Sequence, residues 1–519
     1  MPSSGPRGWK RLVDNAVASP WVVVALVLVG GAVRLALATQ DLYADELATY
    51  WVATAHGFTG VIEAVSTTAE ITPPFSFLLT WLATRAGESP EIVRLPALVA
   101  GVAMIPLVFA LGVRTVGRRA ALLAATLTAL SPFMIFYSAE ARGYGVLMAI
   151  VLLSTLSLLR AIEDGRRRWW VAYGAFVCLA MYTHYTGIFV LAVQLGWAFA
   201  VRPRARRPLL VSTGVAALLF LPWLPSLRGD LDSPTTEILS AFYPLSAEIV
   251  RLNLGHWSVG FPFALPTTSL RDLPGVIPLV MLAVSMGIGV HAVITRRARV
   301  DEWASPTGRA GVALMGLLAC ATPVGTLLQS AVGTNVFAVR SLAASWPYLA
   351  LAASALVMAA RPPLRAVAAG LAVVAFGVGA VTMLTHDFQR PPFEELARFA
   401  DEHPGAVVIN GAAFTPGPLT NFEVEGSETD APIFRLNVPE QMESPFTLIE
   451  PRPDPPDVAR RAAEAADGGP IIVISGVPQP RVVVDMVERF PRGYEPTEVK
   501  QIGGLFDVQA VVYERDDGG

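Results

Sequence analysis

The sequence predicts an α-helical polytopic membrane protein with about eleven transmembrane helices, further interfacial helices and a small C-terminal α/β domain outside the membrane. Three observations predict it. Charged residues make up only 16% of the 519 residues and hydrophobic ones 53%, against about 25% charged in soluble globular proteins. Apolar runs long enough to cross a bilayer recur through the first three quarters of the chain, and after residue 386 the composition turns polar. The mean hydropathy of +0.51 and net charge of −3 exclude disorder and a polycationic nucleic-acid surface. Cys178 and Cys320 both lie in apolar runs, so neither a disulfide framework nor a thiolate zinc site follows.

A spanning helix needs about 20 mostly apolar residues. Candidate spans lie near 20–40, 92–113, 120–137, 143–160, 169–183, 185–201, 209–227, 273–295, 310–329, 341–360 and 365–385. The first could be a cleaved signal peptide, since Ala36-Leu37-Ala38 resembles a cleavage site. Its length and the interrupting Arg34 favour a retained span. The run 74–84 would cover only about 16 Å as a helix, so it reads as an interfacial helix opened by Pro73-Pro74. Residues 45–57 read similarly.

The distribution of arginine orients these spans. With Arg7, Lys10 and Arg11 inside, the inner loops hold Arg114, Arg118 and Arg119, then Arg166 to Arg168. Next come Arg202, Arg204, Arg206 and Arg207, then Arg296, Arg297 and Arg299, and lastly Arg361 and Arg365. Residues 41–84 contain no basic residue. Had 74–84 spanned, every later cluster would fall outside. The pattern predicts a plasma-membrane protein whose C-terminal domain is extracytoplasmic, with residues 1–386 as the membrane module and 387–519 as the second domain. Lys10 and Lys500 are the only lysines, and this Arg-rich bias suits a high-GC bacterial genome. In the C-terminal domain a helix at 393–402, strands at 406–410, 471–475 and 508–514, and a helix near 481–490 alternate as in an α/β fold. The domain has no phosphate loop, nucleophile elbow or metal motif.

Acidic residues collect at the outer ends of the spans. Asp41, Asp45 and Glu46 follow the first span in Asp41-Leu42-Tyr43-Ala44-Asp45-Glu46. Glu140 and Arg142 occupy the short turn Tyr137-Ser138-Ala139-Glu140-Ala141-Arg142-Gly143-Tyr144 between the third and fourth. On charge alone these could be loops that merely solvate helix ends. His184, in Tyr182-Thr183-His184-Tyr185, could bind phosphate or a metal, or be a plain interfacial histidine; His56 is a weaker case. No His/Asp/Glu set has fixed metal spacing. No cofactor is identified, and a divalent ion stays an open alternative.

The order Asp45-Glu46, Pro73-Pro74, Arg94-Leu95-Pro96, Gly117-Arg118-Arg119, Leu130-Ser131-Pro132-Phe133 and Tyr137-Ser138-x-Glu140-x-Arg142-x-Tyr144 resembles the GT-C glycosyltransferase superfamily. The similar branch is that of the protein O-mannosyltransferases and lipid A aminoarabinose transferases. Phe337-Ala338-Val339-Arg340-Ser341-Leu342 resembles its late Arg-led helix. The resemblance covers about residues 20–200 well and the later spans loosely. It implies a GT-C fold and a polyprenyl-phosphate sugar donor. It also implies transfer to a glycan, lipid or protein acceptor at the outer membrane face, with inversion. Asp45 would be the base on the acceptor hydroxyl with Glu46 beside it, and Glu140 would help bind acceptor or metal. Relatives often carry His or Lys before the Pro-Pro, where this chain has Thr72, so another cation must meet the donor phosphate.

The chemistry agrees with that assignment. Glycosyl transfer needs a carboxylate to take the acceptor proton, and the departing phosphate needs cationic stabilisation. A bidentate guanidinium suits the phosphate, which nominates Arg142 and Arg340, with Tyr144 and His184 nearby and Arg85 and Arg94 behind. Arg340 could equally be a snorkelling anchor. The C-terminal domain would then select acceptor and do no chemistry. Two rival functions remain: a transporter or lipid-linked sugar flippase, and a membrane anchor for an active C-terminal domain. A transporter would place polar groups and broken helices at the midplane in repeated halves, and here the acids collect at the outer ends with no visible repeat.

Overall fold

The computed structural model describes residues 19–67, 70–233, 245–260, 273–295, 307–411, 421–436, 454–477, 479, 481–502, 504 and 508–515. The basic groups at residues 7–11 and 296–299 lie outside these. Eight described helices are long and apolar enough to cross a membrane, and a bent pair makes up to nine. In chain order, α1 (Pro20–Ala38) is followed by three short helices, α2 (Asp45–Thr54), α3 (Phe58–Val65) and α4 (Phe75–Ala83). Then come α5 (Leu95–Thr115), α6 (Arg118–Leu130), α7 (Pro132–Ser138), α8 (Tyr144–Asp164), α9 (Arg167–Thr183), α10 (Gly187–Val201) and α11 (Arg206–Phe220). The later membrane part holds α12 (Ala247–Val259), α13 (Leu273–Ile294), α14 (Gly308–Val332), α15 (Trp346–Met358) and α16 (Leu364–Thr382), with a 3-10 helix at Val339–Ser345 before α15.

Every expected span coincides with apolar helix, yet the count of eleven is not reached by length. Helix α10 has 15 residues and α9 has 17; a 15-residue helix reaches only about 22 Å, short of an average hydrocarbon core. The expected interfacial helices are present as α2 and α4. The nine residues of α4 cannot cross, and α3 was not anticipated.

Helices α6 and α7 meet at a bend of 58°. Pro132 explains the break, because it has no N–H for the carbonyl of Thr128. The buried guanidinium of Arg34 takes its place, donating to Thr128 O at 2.8 Å, Ala129 O at 3.0 Å and Gly30 O at 2.9 Å, and to Ser138 Oγ at 3.2 Å. The arginine that interrupts the first apolar run therefore caps a broken helix. Close by, Gly101 of α5 lies so near Ser138 that any side chain would collide with it. A deeper cluster of neutral polar groups is paired. Gln194 Nε2 donates to Ser154 Oγ (2.9 Å) and Thr155 Oγ1 (2.8 Å), and Tyr348 OH donates to Val151 O at 2.7 Å, tying α8, α10 and α15 together.

The C-terminal elements are α17 (Phe393–Asp401), β1 (Val407–Asn410), β2 (Ile433–Arg435), α18 (Pro455–Ala466), β3 (Ile471–Gly476), α19 (Arg481–Val487), β4 (Tyr494–Ile502) and β5 (Val508–Arg515). The sheet order is β2-β1-β3-β5-β4, with β1 parallel to β2 and β3, and β5 antiparallel to β3 and β4. One face packs on α17, where Phe393, Leu396 and Phe399 meet Val408, Ile472 and Val512; the other packs on α18 and α19. Tyr43, from the segment after α1, is part of the first of these cores. The sheet domain therefore sits at the end of the bundle where α1 finishes.

Candidate active site

The site is built where several spans end on one side of the bundle: α1, the α7–α8 turn, the α9–α10 turn and the 3-10 helix before α15. Asp45 opens α2. Its Oδ2 accepts from Arg340 Nη1 at 2.5 Å, and the two side chains are 34% and 33% exposed. The contact joins the segment after α1 to the late Arg-led segment and excludes a role for Arg340 as a free lipid-facing anchor. Burial pushes the Asp45 carboxyl up, but Arg340 and Arg142 outweigh it and hold the group below the usual carboxylate range.

Glu46, one residue on, faces the other way and is fully engaged. Its Oε1 accepts from Arg94 Nε at 2.7 Å and the Ala141 N–H at 2.8 Å, and its Oε2 accepts from Arg94 Nη2 at 2.7 Å and the Tyr43 N–H at 3.3 Å. Arg390 Nε lies 3.1 Å from the same Oε2. Despite burial, Arg390 and Arg94 keep Glu46 below the ordinary range. With both oxygens occupied, Glu46 fastens α2 to the Glu140 turn and is not placed to take a proton from an acceptor.

Arg94 is also spent. Its Nη1 donates to Ala38 O at 2.9 Å and to Gln40 O, and its Nη2 donates to Asp41 O at 2.8 Å, all from a fully buried position. Arg85 binds Ala53 O at 3.2 Å and Trp81 O at 3.3 Å and stands over the Trp81 ring. His56 packs edge-on against Trp51. None of these three joins the Asp45 cluster.

Arg142 is held by a residue that sequence reasoning missed. Glu70 takes its two guanidinium nitrogens at 3.2 Å each, Thr72 Oγ1 accepts from Nη2 at 3.2 Å, and the group stacks over Phe77. Thr72 thus receives a cation from the α7–α8 turn. The available signal was the acid in Glu70-Ile71-Thr72-Pro73-Pro74, in the same segment between α1 and α5 as Asp45 and Glu46.

Glu140 stands between the groups. Its Oε2 is buried without a hydrogen-bond partner. Burial, then Glu46, push its carboxyl up to about 7, against the pull of Arg390 and Arg340. Tyr137, Tyr144 and His184 form a continuous aromatic wall, with ring centroids 5.4 Å and 5.3 Å apart along it. His184 Nδ1 accepts from the Thr186 N–H at 3.3 Å, so Nε2 carries the proton in the neutral ring. Burial, then Arg142 and Arg340, lower its pKa to about 3, which keeps it uncharged at neutral pH. His184 can donate a hydrogen bond but is no phosphate cation. Among the described residues no group of three or more His, Cys, Asp or Glu could hold a metal ion.

Residues 72–225 match the family described as dolichyl-phosphate-mannose-protein mannosyltransferase. No curated protein matches by sequence. The structure of ArnT from Cupriavidus metallidurans bound to undecaprenyl phosphate superposes with a TM-score of 0.52 at 14% identity, covering 98% of each chain. Its apo form gives 0.54 with the same identity and coverage. The apo oligosaccharyltransferase of Archaeoglobus fulgidus gives 0.51 at 12% identity, covering 97% of this chain and 75% of its own. At such identities the likeness is one of fold: the chain is a multi-pass membrane protein with the fold of the GT-C glycosyltransferases, carrying a small C-terminal sheet domain.

Proposed function

We propose that the protein is a membrane glycosyltransferase that moves a hexosyl or pentosyl unit from a polyprenyl-phosphate donor to a hydroxyl of a glycan, glycolipid or protein. The reaction takes place at the outer face of the plasma membrane and inverts the anomeric carbon. The observation that carries the reading is the Asp45–Arg340 pair, a proton acceptor and a phosphate-binding guanidinium in contact at one end of the spans. The family match over 72–225 supports it, as does the fold shared with a protein bound to undecaprenyl phosphate.

Asp45 accepts the acceptor's hydroxyl proton as that oxygen attacks the anomeric carbon. The bond from this carbon to the phosphate oxygen breaks, and its electron pair leaves with the polyprenyl phosphate. The leaving group thereby goes from a singly charged diester to a doubly charged monoester, and Arg340 meets the added charge. The same exchange frees Asp45: a phosphate drawing Arg340 toward itself raises the proton affinity of the carboxylate as the proton arrives. One carboxylate and a single displacement give inversion. Glu140, neutral below about pH 7, donates a hydrogen bond to acceptor or phosphate oxygen, and His184 Nε2 does the same from the wall. Glu46, Arg94 and Arg142 position these groups. A divalent ion would find Asp45 and Glu140 as its carboxylates, with Arg340 already against the first, so no step is assigned to one.

Arg114, Arg118, Arg166 to Arg168 and Arg202 to Arg207 lie at the ends of the spans away from Asp45, which supports an extracytoplasmic site and sheet domain. We divide the chain at residues 386 and 387. The test is purified protein in lipid nanodiscs given a panel of polyprenyl-phosphate sugars and envelope acceptors. Consumption of one donor with release of polyprenyl phosphate is expected; lipid movement without a glycosidic product would refute the reading.

A further inference from the structure

We propose that the C-terminal domain is a positioning element of the active site: through Arg390 and contacts to residues 40–43, it holds the strained turn at Ala44 that aims Asp45. This rests on the functional reading above and extends it to a region that no chemistry in the sequence had implicated.

Ala44 has φ 51° and ψ −123°, a backbone region that side-chain-bearing residues rarely enter. Such a conformation persists only where its surroundings over-determine it. Here the surroundings come from the far end of the chain. The Gln40 side chain accepts from the Arg390 N–H at 3.0 Å, and Asp41 Oδ2 caps α17 by accepting from the Glu394 N–H at 2.9 Å. Asn421 Nδ2 donates to Leu42 O at 2.8 Å, and Tyr43 stacks on Phe393 within the core beneath the sheet. Four consecutive residues before the strained one are thus each held by the C-terminal domain or the segment leading into it.

Arg390 links this clamp to the catalytic groups. It is buried, lies over the Phe136 ring, donates to Ala139 O at 3.0 Å and pairs with Glu46. It therefore braces both carboxylate-bearing segments, the start of α2 and the Glu140 turn. Arg390 touches no reacting atom in the scheme above and is a positioning residue. Losing its charge should also leave Glu140 with less opposing cation, so that Glu140 titrates at higher pH.

The test uses full-length protein in nanodiscs with a consumed polyprenyl-phosphate sugar. Arg390→Gln should lower kcat by about 10–10²-fold while the donor KM changes by less than about threefold, as expected of misaligned rather than unbound reactants. The Glu140 limb of its pH profile should move up, whereas Arg390→Lys should keep the limb and recover part of kcat. Adding Ala44→Gly to Arg390→Gln should restore activity at least about fivefold, because glycine needs no clamp to adopt this φ. Independently of turnover, amide exchange over residues 41–47 should quicken in Arg390→Gln. If that variant does not fold, Asn421→Ala should quicken the same amides. Unchanged kcat, pH limb and exchange would overturn the proposal. Were the wild-type protein to transfer no sugar, the functional reading would fail while the exchange measurement still decided the clamp.

Discussion

Asp45 and Arg340 are 295 positions apart in the chain and 2.5 Å apart in the fold. The contact closes one end of the bundle, between the segment after α1 and the segment before α15. It keeps a carboxylate ionised beside the cation that a departing phosphate needs. Most of what the account predicts depends on this pair and on the groups that hold it.

Arg340→Ala should lower kcat/KM for the donor by about 10²–10³, the usual cost of removing one donor to developing negative charge. Arg340→Lys should lose less, since an ammonium keeps charge but not the planar fork. Steady-state kinetics with varied donor checks this, and equal activity of wild type and the alanine variant would reduce Arg340 to a structural role.

Glu140 should set the upper limb of the pH profile. Its carboxyl is protonated below about 7, so transfer should fall as the pH rises through that value, while Glu140→Gln, a permanent hydrogen-bond donor, should show no such limb. The linked stability has a definite sign. A carboxyl raised on folding binds more protons in the native state, so wild type should lose thermal stability between the ordinary carboxylate range and about pH 7. The glutamine variant should not. Parallel pH–rate and thermal-unfolding series would check both.

Glu70 and Arg142 are buried partners, their side chains 4% and 8% exposed. Glu70→Gln strands a buried guanidinium and should cost about 3–5 kcal/mol, whereas Glu70→Leu with Arg142→Met should cost less than the single change. Chemical unfolding of the purified variants in detergent provides the comparison.

In a background with both cysteines replaced by serine, Thr59→Cys and Arg398→Cys should react with an impermeant maleimide in intact spheroplasts, and Arg166→Cys and Arg204→Cys should not. All four positions are exposed. Labelling at 166 without labelling at 59 would invert the topology and place the site on the wrong face for this function.

The bundle was legible because hydropathy is local. Each apolar helix announces itself within its own window, without knowledge of the packing. The short helices α2 and α4 were legible for the same reason. What escaped was pairing at a distance. Glu46 looks like a second catalytic acid until Arg94, 48 residues on, and Arg390 are seen to fill its oxygens. Arg142 looks like a free cation until Glu70, 72 residues earlier, closes on it. In the sheet, β1, β3 and β5 read as apolar runs. Strand β4 did not, because it is an edge strand with charged residues and a register shift between Pro496 and Glu498. Strand β2 has only three residues and no pattern to read.

The most direct test is Asp45→Asn, which keeps the size and hydrogen-bonding reach of the side chain and removes its capacity to take a proton. Single-turnover transfer from a polyprenyl-phosphate sugar, measured beside donor affinity in the same nanodiscs, should fall by about 10²–10⁴ with affinity nearly unchanged. Wild-type transfer rates in the asparagine variant would contradict the account, because Glu46, the adjacent carboxylate, is already bound by Arg94 and Arg390.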